Sequence, residues 1–347
     1  MEQYDIKSLY IDELTKKLKQ LGLPAFRSKQ IYEWLHVKLA ASYEDMTNLP
    51  KDLREILKEK FPLTILQVVD SLHSETDETA KYLFRLKDDR VIESVLMKYH
   101  HGNSVCISSQ VGCRMGCKFC ASTIGGKERD LLPSEMLDQI YRIQVLSGER
   151  VSNVVVMGTG EPFDNYDNLM RFLRILTDPY GLNISARNIT VSTCGIPDRI
   201  RAFAEEGLPI TLALSLHAPN NEIRKQLMPV ASTYELKEVM DAFCYYYERT
   251  GRRLTFEYSL VEGINDEAEH AKELSSLVKG LNCHINLIPV NPIKERNYKK
   301  SNSRNIQNFK NILEKNRINV TIRREMGADI DAACGQLRKS YIDKNSD

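Results

Sequence analysis

SVCISSQVGCRMGCKFC, residues 104–120, reads as a short β-strand running out into a loop that carries three cysteines. Cys113, Cys117 and Cys120 stand in the spacing C-x3-C-x2-C. Three thiolates so close on one loop suit three irons of a cubane cluster, leaving a fourth iron open to a chelating small molecule. Structural zinc is the competing reading, but it takes four ligands in paired spacing, and no second pair follows. Phe119, apolar and set in a loop, also favours the cluster.

Outward from this stretch, strand and helix signals alternate. Strands fit residues 152–157, 188–192, 211–216, 254–260 and 284–288, and helices fit 133–146, 166–176, 198–206, 235–249 and 267–279. With 104–108 this makes about six βα units, an α/β chain whose parallel sheet forms a partial barrel, short of the eight units that close one. Upstream, residues 79–86 and 91–98 read as strands joined by a turn at Asp88-Asp89. The first sixty or so residues are helical: Ile11, Leu14, Leu18 and Leu21 recur at helical spacing, and Pro50 opens a further helix. A last helix over 304–316 leads to a strand at 320–323 and a loop around Cys334. The expected organisation is a helical accessory domain (1–75), a β extension (76–103), the partial barrel (104–300) and a C-terminal helix, strand and loop (301–347).

The composition, 42% apolar and 27% charged over 347 residues, is that of a soluble globular protein. Net charge is +1, so affinity for nucleic acid must come from local basic surface. The opening MEQYDIKSLY has early acidic residues and no apolar run, unlike a signal peptide, and no stretch approaches the roughly 18 apolar residues of a membrane span. A cytoplasmic location with no membrane partner is expected. In that reducing compartment the eight cysteines are read for metal binding or chemistry before disulfides. Cys194 lies at a strand end, and Cys244 and Cys283 read as small buried hydrophobes.

Gly158-Thr-Gly160-Glu161-Pro162 follows the strand at 152–157, where parallel α/β folds gather their ligands. Glycines let backbone approach a ligand, and Glu161 suits an ammonium group. Alone this is a tight turn; one unit after the cysteine loop it marks a site. C-x3-C-x-F-C after the first strand of a partial barrel resembles the radical SAM superfamily. The resemblance implies one [4Fe–4S] cluster per chain, with S-adenosylmethionine (SAM) bound at the open iron and cleaved to a 5′-deoxyadenosyl radical.

A narrower likeness lies in SVCISSQVGC, VVMGTGEPFDN, TVSTCGIP, ALSLHAPN, INLIPVNP and DIDAACGQL. These segments resemble the RlmN family of adenosine C2-methyltransferases over residues 82–337, with an echo at Phe26-Arg27 and Gln30. The resemblance implies SAM contacts at Gly160, Glu161, Ser192, Ser215, Leu216, His217 and Asn291, and two SAM molecules per turnover. It makes Cys334 the residue that SAM first methylates; hydrogen abstraction from the S-methyl group then yields a carbon radical that adds to adenine. C2 of adenine carries no acidic proton, so a polar methyl transfer cannot reach it. Addition leaves a covalent protein–RNA adduct, for which the resemblance implies Cys106 as the resolving thiol, through a transient disulfide with Cys334, and Glu93 as the proton acceptor. Without the family, Glu93 reads as a solvated strand glutamate and His217 as a turn histidine.

The implied substrates are an adenosine in the peptidyl transferase centre of 23S rRNA and the adenosine 3′ to the anticodon in tRNAs, with the helical domain binding RNA. The implied state is a monomer fed by an electron donor such as flavodoxin or ferredoxin. Ten Lys or Arg against three acidic residues between Asn291 and Glu325 suit phosphate contacts, among them Lys294, Arg296, Lys299, Lys300, Arg304, Arg323 and Arg324, with Tyr298 available to stack. A solvated helix face is the competing explanation. Two other readings remain: the C8-methylating resistance enzyme of the same family, which has an arginine where Pro289 stands, and a zinc-stabilised RNA-binding protein without catalysis.

Overall fold

The computed structural model describes residues 5–100, 102–293, 295–333 and 335–336; Lys294 and Cys334 therefore lie outside it. The N-terminal helices are α1 (Ile11–Gln20), α2 (Arg27–His36) and α3 (Lys51–Lys60). Glu13 fixes the start of α1 by accepting the Tyr10 backbone N–H at 2.9 Å. Leu14 and Leu18 of α1 meet Ile31, Leu35, Leu53 and Leu57 in a small core separate from that of the sheet.

Four strands then pair antiparallel in chain order: β1 (Gln67–His73), β2 (Thr79–Arg85), β3 (Val91–Tyr99) and β4 (Gly102–Ile107). A short hairpin, β5 (Gln110–Gly112) with β6 (Lys127–Asp130), brackets the cysteine loop. Pairing turns parallel from β4 onward through β7 (Val151–Val156), β8 (Ile189–Thr193), β9 (Thr211–Ser215), β10 (Leu254–Leu260), β11 (Cys283–Pro289) and β12 (Asn319–Ile322). Between them run α4 (Pro133–Ser147), α5 (Tyr166–Leu176), α6 (Pro197–Ala204), α7 (Asn221–Leu227), α8 (Leu236–Thr250), α9 (Ala268–Leu277) and α10 (Ser303–Lys315). The result is the expected partial barrel, with the strand at 319–322 added parallel to β11. Every residue of β10 is buried, as a strand covered on both faces requires.

Three features depart from the sequence reading. Residues 67–73, placed there in the helical domain, form β1; most of this edge strand is exposed and carries Asp70 and Ser71, so its apolar alternation is faint. The β5–β6 hairpin is too short to show a period. The third is α7, a segment to which the sequence reading gave no element, which buries Arg224 and Leu227.

The helical module is locked to α4. Lys7 Nζ lies 2.5 Å from Asp138 Oδ1, with both side chains at most 2% exposed. The ammonium also donates to the Thr64 carbonyl, and the other Asp138 oxygen accepts the Leu66 N–H at 2.6 Å. Removing either partner strands the other charge in the interior, a cost of about 3–5 kcal/mol. Beside this pair, His36 Nδ1 meets the Tyr141 hydroxyl at 2.7 Å, and burial pushes the imidazole pKa down to about 3, which keeps the ring neutral.

Candidate active site

A cavity of about 950 Å³ opens at the C-terminal ends of the parallel strands. Cys113, Cys117 and Cys120 line one side, and residues at the ends of β7 to β11 line the other. The loop's own bonds hold the cysteines in place. Cys120 N–H donates to the Cys117 carbonyl at 3.2 Å, and Thr123 Oγ1 donates to the carbonyls of both Cys117 and Cys120. Phe119 packs edge-on against His217 at 4.8 Å between ring centres, which wedges the loop against the exit of β9.

Two of the three thiols, Cys113 and Cys117, are badly placed to ionise unaided. Burial pushes Cys113 up to about 12, and burial followed by the neighbouring Cys120 and Cys113 charges holds Cys117 far above the ordinary thiol range. Such a trio becomes thiolate when a cationic centre supplies the counter-charge. Among the described residues no three His, Cys, Asp or Glu side chains converge on a single-ion site. In a cubane each thiolate takes its own iron, and three cysteines along one loop on the cavity wall suit that arrangement.

Glu161 sits deep in the same cavity, 4% exposed. One carboxylate oxygen accepts from Thr193 Oγ1 at 2.7 Å and Phe163 N–H at 3.1 Å; the other accepts from Cys194 N–H at 2.8 Å. Burial raises its pKa. The Cys194 thiol also bonds to this carboxylate, so Glu161 is anchored by both the backbone and the side chain of Cys194. The glycines beside it have a packing role that the sequence reading missed. Gly160 has φ of 112°, and a Cβ there would meet Ser109 Oγ at 2.7 Å, so it closes on the strand leading to the cysteine loop. Ser192 and Ser215 line the cavity with their hydroxyls 3.2 Å apart, and Asn291 lies on its far wall. His217, with φ of 56°, accepts the Ser259 N–H on Nδ1 at 2.9 Å, and burial drives its pKa down to about 3, so it lines the cavity as neutral imidazole. Leu216 is apart from these: its side chain is in the core and does not line the cavity.

A second chamber of about 1110 Å³ shares a wall with the first, including Cys120, Ser122, Asn291, Arg323 and Gly335. Cys106 faces it, as do Lys300, Arg323 and Arg324 of the basic segment and Ala332, Ala333 and Gly335 of the C-terminal loop. That loop is docked on the cysteine loop, because Ala121 N–H donates to the Gly335 carbonyl at 2.8 Å. Of the other basic-segment residues, Arg296, Tyr298 and Lys299 line a separate depression beside Lys118. The Cys106–Cys334 pairing lies outside the described residues.

Strand register relates Glu93 to Cys106. Lys81, Val95 and Cys106 form one row across β2, β3 and β4, and Glu93 is two residues before Val95, on the same face. Glu93 is 2% exposed, which removes the solvated reading, and lies 3.6 Å from Lys81 Nζ. Lys81 in turn donates to the Asp331 carbonyl of the C-terminal loop at 3.2 Å. The Glu93 side of this face opens on a smaller cavity with Ser122 and Thr159, not on the second chamber.

Sequence reasoning missed Glu257. It sits on β10, whose seven residues are all buried, lines the first cavity, accepts from Asn286 Nδ2 at 2.8 Å and faces Arg323 at 3.7 Å. Burial raises its pKa.

Comparison with known proteins fits this geometry. Residues 107–274 match the radical SAM superfamily, and residues 4–63 match the ribosomal RNA large subunit methyltransferase N-terminal domain. A probable dual-specificity RNA methyltransferase RlmN of Lachnoclostridium phytofermentans is 66% identical over 99% of this chain and 96% of its own length. The chain belongs to the RlmN family of radical SAM methyltransferases. An RlmN relative in Clostridium novyi is 52% identical over 98% of the chain and 99% of its own. The crystal structure of a radical SAM methyltransferase from Sphaerobacter thermophilus superposes with a TM-score of 0.93 at 43% identity, covering 96% of this chain and 99% of that one. Membership of the RlmN family brings a [4Fe–4S] cluster and SAM as cofactors, and the cysteine side of the cavity suits the first. No helix among the described residues is long and apolar enough to cross a membrane.

Proposed function

We propose that this enzyme methylates C2 of an adenosine in 23S rRNA and of the adenosine 3′ to the anticodon in tRNAs. It works in the cytoplasm as a monomer and draws electrons from a low-potential carrier such as flavodoxin or ferredoxin. The observation that carries the reading is the pair of joined chambers. One is edged by the three cysteines and Glu161; the other is edged by Cys106, three cationic side chains and the residues flanking position 334. The names of the RlmN relatives, and the ribosomal RNA methyltransferase domain over residues 4–63, support RNA as substrate.

In this reading Cys113, Cys117 and Cys120 hold the cluster, while Glu161, Ser192, Ser215, His217, Asn291 and the backbone at Gly160 and Leu216 hold SAM. When bound, these groups supply abstraction of a hydrogen atom from a carbon that has no acidic proton. Cys334 carries the methyl carbon to the base, Glu93 takes the C2 proton, and Cys106 attacks the Cys334 sulfur. Radical addition leaves one unpaired electron on the base, which passes to the oxidised form of the carrier. The Cys106 attack then forms the disulfide and breaks the carbon–sulfur bond, and the bonding pair leaves with the methylene carbon, which takes a proton to become the methyl group. Arg323, Arg324 and Lys300 grip phosphates around the target base.

Nucleoside analysis of tRNA and 23S rRNA treated with the reconstituted enzyme tests the regiochemistry. The expected product is 2-methyladenosine; 8-methyladenosine would transfer the chain to the resistance chemistry.

Glu161 offers a sharper test of the SAM site. Glu161→Gln keeps an oxygen for Phe163 and Thr193 but turns its NH2 toward the Cys194 N–H and removes the charge meant for the SAM ammonium. SAM affinity should fall by roughly 1.5–3 kcal/mol, about 10- to 150-fold, with iron content unchanged. An unaltered dissociation constant by calorimetry would leave Glu161 only its contacts to Thr193 and Cys194.

A further inference from the structure

Arg224, on α7, heads the large side chains that are fully buried among the described residues. A guanidinium brings five N–H donors and a charge that cannot be shed, so burial normally demands a carboxylate and a full set of acceptors. Arg224 has neither. Nη2 donates to the Cys194 carbonyl at 2.5 Å, while Nε and Nη1 are buried with no partner. Among the described residues no carboxylate lies within ion-pair distance of it.

Its position gives the reason. α7 ends against the back of the cysteine loop, where Lys118 N–H donates to the Leu227 carbonyl at 2.9 Å. Gly116 faces Pro229, whose ring a Cβ there would meet at an ordinary contact distance of 3.4 Å. Burial works against the guanidinium charge, and the groups set against that effect are the sulfurs of Cys194 and Cys117, the second of them a proposed cluster ligand. A cluster on Cys113, Cys117 and Cys120 is net negative, becomes more so when it takes up an electron, and presents thiolate and sulfide sulfurs that accept N–H bonds.

We propose that Arg224 is the cluster's buried counter-cation, spending its two idle donors on the sulfur side of Cys117 and raising the potential at which the cluster is reduced. It is a positioning residue that acts through Cys117 and does not handle substrate. The redox step is the uptake of one electron from an external low-potential carrier, [4Fe–4S]2+ to [4Fe–4S]+, in which no bond breaks and no proton moves. The inference rests on the assignment of the three cysteines as cluster ligands, which the iron content of the wild-type protein tests separately.

The experiment is a redox titration of the anaerobically reconstituted full chain, followed by electron paramagnetic resonance. Arg224→Gln keeps an N–H for the Cys194 carbonyl but loses the charge; its reduced-to-oxidised ratio at a fixed potential should fall at least tenfold, a drop of about 59 mV for one electron. Arg224→Lys keeps the charge and should recover most of the loss. A second arm does not depend on cluster loading of a variant. Arg224→Met should make the cluster-free protein more heat-stable, by removing a stranded charge, and should shrink the stabilisation that the wild type gains on reconstitution. An unchanged midpoint in Arg224→Gln would overturn the proposal. So would a Met variant whose cluster-free form is less stable than wild type, for then Arg224 would be a clamp on the Cys194 carbonyl and nothing more.

Discussion

Protein carrying Cys106→Ala, expressed alongside native RNA, should be isolated with nucleotide covalently attached. In the proposed sequence of events the methyl carbon travels on Cys334 and joins the adenine before the sulfur is released, and release requires a second thiol. Cys106 faces the chamber that Ala333 and Gly335 also line, and it packs with Ala332. None of the other described cysteines lines that chamber except Cys120, which the cluster occupies. The Ala variant should therefore accept the methyl group, add to the base and stop there. Cys334→Ala has no sulfur to methylate and should yield neither product nor adduct. Denaturing gels before and after ribonuclease, with mass spectrometry of the peptide containing residue 334, separate the two outcomes. Normal turnover by Cys106→Ala, or an adduct in Cys334→Ala, would end the two-thiol mechanism while leaving family membership untouched.

Loss of a cluster thiol should be as severe. Cys113→Ala, Cys117→Ala and Cys120→Ala each remove the ligand of one iron, and iron and sulfide after anaerobic reconstitution should fall to the level of a chain lacking all three. The fold should survive, since each change removes one sulfur from the wall of an existing cavity. Cys194 is the candidate substitute, because its thiol, held high by burial and by Glu161, is also close enough to feel the charge of Cys117. Its backbone is committed on both sides, however, the N–H to Glu161 and the carbonyl to Arg224. A fully loaded cluster in Cys117→Ala would refute the ligand assignment.

The barrel was legible because its strands are apolar runs bounded by turns and its helices keep their period: the run at 211–216 is β9, and the pattern at 166–176 is α5. The cysteine loop was legible because its spacing is local. What stayed hidden depends on contacts distant in the chain. Glu93, Glu257 and Arg224 are charged residues that local reading assigns to solvent, and only the assembled sheet buries them. Lys81 gave no signal of its own, because its two partners, Glu93 and Asp331, come from the neighbouring strand and from a loop some 250 residues away. Gly160 was read for the room it gives a ligand, whereas the atoms a side chain would strike belong to Ser109 and Gln110. Leu216 keeps its place among the proposed contacts through backbone alone.

The ion pair between Lys7 and Asp138 has a bearing on how nucleic acid is presented. An ammonium that deep cannot swivel away from its carboxylate without abandoning it in a dry interior, so the N-terminal helices move with the barrel as one piece, a fixed jaw and not a hook on a tether. If that domain binds RNA as proposed, the RNA is offered to the catalytic chambers at a single angle and a single reach. Ribosomal and transfer RNAs differ enormously in size, yet an unbending jaw feels only the few nucleotides around the base it delivers. For such an enzyme, serving two substrates requires no adaptability of its own; the likeness must be supplied by the RNAs, in the local contour each presents at the methylated adenosine.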